Sequence, residues 1–145
     1  MSRFDLSAEI DIAREPTDVA GVMFDPHREP DWAAAVTSVD VIDPAMAPGA
    51  RVRRSGRLLG RDVQWTTAVV ACQFPHLLRL QLVDGPFTGT VTFEVGRATG
   101  GSRVRIRSEV TLAGAGLLPA SLIETSMREG LAADLERLKA LLTLP

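Results

Sequence analysis

The chain contains no asparagine and no tyrosine, and only one cysteine, Cys72, and one lysine, Lys139. Each shortage excludes something. One cysteine cannot form an intrachain disulfide. Without asparagine there is no N-glycosylation acceptor. Without tyrosine, no chemistry that depends on a phenol is available. A basic excess is also missing: the formal net charge is −2 over 145 residues. That balance gives no support for a nucleic-acid or membrane-surface partner, which needs a basic footprint. No apolar run approaches the ~20 residues of a membrane span. The first twelve residues alternate polar and apolar with no continuous apolar core, unlike a signal peptide. A cytoplasmic protein is expected, monomer or homodimer, without integral membrane association.

Metal ligands are equally sparse. His27 and His76 are the only histidines. Asp25, His27 and Asp31 are the best local group, with no HxxxH pair or cysteine cluster beside them. No metal and no cofactor is expected. Cys72 and His76 straddle a predicted turn, and a nucleophilic pair would require a proximity that spacing does not supply. Gly114-Ala115-Gly116 is reminiscent of a dinucleotide fingerprint, but Pro119 replaces its third glycine and no βαβ unit follows. Its expected role is a flexible lead into the last helix.

What is present is a clear order of periodicities. Phe4, Leu6, Ala8, Ile10 and Ile12 alternate with polar residues, which predicts a strand with one buried face. Glu15-Pro16-Thr17-Asp18 reads as a helix start. Asp25-Pro26 ends that helix, and 27–35 is predicted as a second short helix carrying Trp32. Strands are predicted over 36–42, 51–58, 61–72, 77–83, 88–95 and 103–112. They are separated by turn signals at Leu59-Gly60, Asp84-Gly85-Pro86 and Gly100-Gly101. From about Leu118 to Leu142, Ile123, Met127, Leu131, Leu135, Leu138 and Leu142 recur every three or four residues. They mark one face of an amphipathic helix roughly 35 Å long.

This order is α+β: one strand, two short helices, a meander of strands and one long helix. A twisted sheet of about seven strands is wider than a single ~10 Å helix. The helix therefore covers only part of the inner face, and an apolar gap between the two is the expected small-molecule site.

The residues also resemble a known superfamily along essentially the whole chain. The carrying features are Ala13-Arg14-Glu15-Pro16, Asp25-Pro26 with Pro30-Asp31-Trp32, Gly49-Ala50-Arg51-Val52 and Leu58-Leu59-Gly60-Arg61. Asp84-Gly85-Pro86-Phe87, Gly101-Ser102-Arg103-Val104 and the closing Asp134-Leu135-Glu136-Arg137-Leu138-Lys139 complete them. In order and spacing they resemble the START-like, or SRPBCC, superfamily of polyketide cyclases/dehydrases. The resemblance implies a helix-grip fold: a curved antiparallel sheet wrapped around a long C-terminal helix, forming one ligand-binding domain over 1–145. It also implies an apolar cavity shared by lipid carriers, hormone receptors and aromatase/cyclases. Fold alone does not choose among those functions.

Strand phase and the long helix nominate the ligand-binding residues. Trp32 sits near the expected cavity mouth, where core packing is the plainer role for a buried Trp. Trp65 and Thr67 share an inward phase with Val63 and Val69. If Val52 and Leu58 point inward, so does Arg54, which is costly unless the charge is paired or solvated. Its guanidinium would take a carboxylate or phenolate, or polarise a carbonyl; the plainer alternatives are a bulge that turns it outward and a salt bridge. Arg103, Arg105 and Arg107 face out as a solvated stripe, leaving Ser108 as an inward polar group. Ile123 and Met127 present the helix to the cavity. Ser126 and Gly130 share one flank, where Gly130 leaves space.

Three functions compete. The first is binding of a hydrophobic small molecule such as a lipid, fatty acid or aromatic polyketide. The second is a polyketide aromatase/cyclase or dehydratase that works by positioning its substrate. The third is an interaction module with a vestigial cavity. The lack of a recognisable catalytic set favours binding over catalysis. At least two buried polar side chains near Arg54 would favour the enzyme.

Overall fold

A computed structural model describes residues 2–113 and 118–143. Its elements are β1 (Ser2–Ile12), α1 (Pro16–Met23), a 3-10 helix (Pro26–Asp31), β2 (Val36–Val41), β3 (Arg51–Leu58), β4 (Arg61–Gln73), β5 (Leu77–Asp84), β6 (Phe87–Ala98), β7 (Gly101–Leu112) and α2 (Ala120–Thr143). The seven strands form one sheet in the order β1-β7-β6-β5-β4-β3-β2. Every pairing is antiparallel. This is the helix-grip architecture expected. The Gly114-Ala115-Gly116 lead lies outside the described residues.

The strand boundaries follow from local chemistry. Leu59 (φ 53°) and Gly60 (φ 78°) both adopt left-handed backbone at the β3–β4 turn, as a two-residue hairpin loop with the right twist requires. Glycine is needed at position 56 for another reason. A Cβ there would lie 1.6 Å from the Ala35 carbonyl oxygen, so the chain leaving Trp32 lies directly against the bare backbone of β3. On β4 the simple alternation breaks. Register shifts relative to β5 fall between Thr66 and Thr67 and between Val69 and Ala71. Thr66 and Thr67 are consequently both buried.

The second short helix differs from the expected 27–35. It is a 3-10 turn over Pro26–Asp31, with the Asp25 side chain accepting the His27 N–H (3.0 Å). An α-helix starting at Pro26 would need an N–H on residue 30, and Pro30 has none. Trp32 therefore follows the helix rather than riding on it.

Buried residues from sheet and helices merge into a larger cluster containing Val95, Val104, Ile106, Leu135, Leu138 and Leu142. A smaller cluster at the other end gathers Phe4, Leu6, Val110, Leu112 and Ile123. Leu131 packs against both clusters from the middle of α2. Burying each such aliphatic side chain contributes about 1.5–3 kcal/mol. On the outer face, Arg103 and Arg107 pair with Asp11 and Asp5 of the neighbouring β1 at 2.9 Å. Two of the three arginines of the stripe are thus paired with acids one strand away. No helix among the described residues is long and apolar enough to cross a membrane.

Candidate functional site

Between the two packed clusters the sheet and α2 do not close. A chamber of about 200 Å³ remains, walled by Trp32, Trp65, Phe93, Ile106, Val110 and Leu131. It continues into an outer hollow of about 350 Å³, which Gly130, Ser126 and Leu59 border. The two share seven lining residues, among them Leu58, Phe87, Ser108, Met127 and Asp134, so the hollow is the mouth of the chamber. A Cβ on Gly130 would meet nothing within 4 Å, so the mouth is open on that side.

Four expected site residues meet on this wall: Trp32, Trp65, Ser108 and Met127. Trp32 is 2% exposed, and its ring stands edge-on to Phe93 with centroids 5.8 Å apart. Packing and wall are therefore one role for this residue. Its indole N–H is buried and has no hydrogen-bond partner among the described residues. Trp65 is half-buried. The backbone of Gly85 backs it so closely that a Cβ on Gly85 would lie 2.6 Å from the Trp65 Cβ.

The other three occupy different positions. Ile123 is buried in the smaller cluster and does not line the chamber. Arg54 points inward, as its phase predicts, and is 4% exposed. Each of its three side-chain nitrogens makes a hydrogen bond. Nε and Nη2 donate to the two carboxylate oxygens of Glu29 at 2.7 and 2.9 Å. Nη1 donates to Thr67 Oγ1 at 2.5 Å. The bidentate geometry and deep burial make this a strong, charge-assisted set of bonds. Neither Arg54 nor Thr67 lines the chamber; of the three partners only Glu29 reaches its wall. Buried polar side chains do cluster around Arg54, but they satisfy one another.

Two acids were not singled out by sequence reasoning. Glu29 is the counter-ion that an inward Arg54 demands. Asp134 lines both chamber and mouth. It accepts the Ala34 N–H at 3.1 Å and pairs with Arg137, which also donates to the Trp32 carbonyl at 3.0 Å. Burial pushes the Asp134 carboxyl above its ordinary value; the Ala34 N–H and Arg137 oppose the rise, and nearby Glu29 adds to it. The available signal was position. Asp134 interrupts the apolar stripe Met127, Leu131, Leu138 on α2. Glu29 lies three residues before Trp32, near it on any helical turn. Among the described residues no cluster of three or more His, Cys, Asp or Glu side chains is placed to hold a metal.

The family model described as "Polyketide cyclase / dehydrase and lipid transport" matches residues 3–143 of this chain. No curated protein is a significant sequence match. Among solved structures, the protein TTHA0849 of Thermus thermophilus superposes with a TM-score of 0.82 at 22% identity, covering 96% of this chain and 97% of that one. A START superfamily protein of Mycobacterium smegmatis gives 0.81 at 14%, covering 97% of each chain. The Zhui aromatase/cyclase of a Streptomyces species gives 0.79 at 13%, covering 97% of this chain and 94% of that one. At these identities the structural likeness establishes the fold.

Proposed function

Because this chain belongs to the polyketide cyclase / dehydrase and lipid transport family, we propose that it is a single cytoplasmic ligand-binding domain. Its ligand is a compact, mostly apolar small molecule held between sheet and α2. The observation that carries this reading is the chamber itself: about 200 Å³, with aromatic and aliphatic walls and few polar atoms. An apolar cavity of about 150 Å³ already suffices for benzene. One or two fused rings therefore suit the chamber as it stands, and a longer acyl chain would have to extend through the mouth past Met127. Trp32, Trp65 and Met127 supply contact surface, and Ser108 one hydrogen bond. Arg54 and Thr67 work behind the wall by fixing Glu29, and Ile123 closes the far end by packing.

A second reading, a cyclase or dehydratase of the polyketide type, draws on Asp134. A carboxyl with a raised pKa on an apolar wall is suited to hand over or accept a proton. The relation to a family that includes cyclases, and the likeness to an aromatase/cyclase, support keeping it.

The test is to purify the protein natively, identify any compound released on denaturation, and measure binding of 2-methylnaphthalene. Binding by wild type and at least tenfold weaker binding by Ser108→Phe, which fills the chamber, is the expected result. Equal binding by the two, with both proteins folded, overturns the proposal.

A further inference from the structure

A second compartment lies away from α2, which contributes no residue to it. It measures about 450 Å³ and lies between α1, the 3-10 helix and the inner faces of β2, β3 and β4. None of its lining residues is shared with the chamber. The Arg54–Glu29–Thr67 unit stands between the two. Along β3, Val52 faces the second compartment, Arg54 follows, and Leu58 reaches the chamber. Along β4 the sequence is Cys72, Thr67 and Trp65.

The chemistry of this compartment is distinct. Its walls include buried Phe24 and, at the rim, Phe74, which is 57% exposed; their rings stand at 82° with centroids 6.1 Å apart. Met46 adds a flexible apolar wall. The polar rim carries Asp25, His27 and Asp43. Asp43 is matched by Arg51 at 3.1 Å. Asp25 uses Oδ1 to accept the His27 N–H, and its other oxygen makes no hydrogen bond among the described residues. Aromatic faces and a carboxylate with a free oxygen both attract an ammonium group. The volume falls within the ordinary range for a small-molecule site.

We propose that this compartment, walled off from the chamber by the Arg54–Glu29–Thr67 unit, is a second binding site. It takes a compact aromatic molecule bearing a protonated amine. The rings lie against Phe24 and Phe74, and the amine bonds the free oxygen of Asp25.

The four methionines make the test specific, because Met46 lines the second compartment and Met127 the first. In protein carrying 13C-methyl methionine, 2-naphthylmethylamine should shift the Met46 methyl signal saturably. Neutral 2-methylnaphthalene should bind there about tenfold more weakly, the loss expected for one charge-assisted bond, and Asp25→Asn should remove the difference. Gly21→Trp should block the site, since Gly21 lines it on α1 and a Cβ there meets nothing within 4 Å. The proposal is overturned if the amine leaves Met46 unmoved, if Gly21→Trp changes nothing, or if the neutral ring binds as well as the amine. Met127 responds independently, so failure here is separable from failure of the chamber to bind.

Discussion

Replacing Glu29 by Gln removes one charge from the most buried ion pair among the described residues while keeping its shape. The side chains of Arg54 and Glu29 are 4% and 10% exposed, and two of their bonds are 2.7 and 2.9 Å long. In Glu29→Gln the guanidinium stays behind with Thr67 and no counter-charge. Breaking such a pair from one side typically destabilises by about 3–5 kcal/mol. For a domain of this size each kcal/mol moves the melting temperature by about 3 °C, so the expected drop is roughly 9–15 °C. Thermal and urea denaturation read it directly. Arg54→Met combined with Glu29→Leu removes both charges and should recover most of the loss, because two apolar side chains no longer leave an ion unpaired. A Glu29→Gln variant within about 0.5 kcal/mol of wild type would refute the reasoning, since it would mean that water already screens the pair.

Other consequences are smaller. Leu59 holds a left-handed backbone (φ 53°) in the β3–β4 turn, so Leu59→Asn should stabilise by about 1 kcal/mol in urea titrations. Gly130→Ala lies on the exposed flank of α2 with no atom within 4 Å; it should raise stability by about 1 kcal/mol and leave ring binding intact. Asp134 titrates above its unfolded value. Its contribution to stability is therefore full below the unfolded pKa and is lost as pH rises through the folded one. Relative to Asp134→Asn, wild type should lose stability across that window; a difference independent of pH would contradict the burial argument.

The architecture was readable because each strand and the long helix carry their own period. The turn residues at Leu59-Gly60 and Asp84-Gly85-Pro86 punctuate them. The site was readable only where phase sufficed. Trp65, Ser108 and Met127 follow from alternation and the helical stripe. Trp32 lines the chamber, but the helix expected to carry it is cut short by Pro30. Strand phase nominates Arg54 as a ligand anchor with a salt bridge as the plainer alternative, and the structure has the salt bridge; its partner Glu29 comes from an element 25 residues away. Such pairing is tertiary and leaves no local pattern. The same holds for the shifts on β4, which bury adjacent threonines, and for the second compartment, whose walls come from several separate elements.

The account rests on an open, apolar chamber between sheet and α2, and both tryptophans of the chain, Trp32 and Trp65, line it. Titrating 2-methylnaphthalene into protein carrying 13C-methyl methionine while following the Met127 methyl signal tests it most directly. One saturable transition is predicted, absent in Ser108→Phe. A Met127 signal unmoved up to the solubility limit would contradict it.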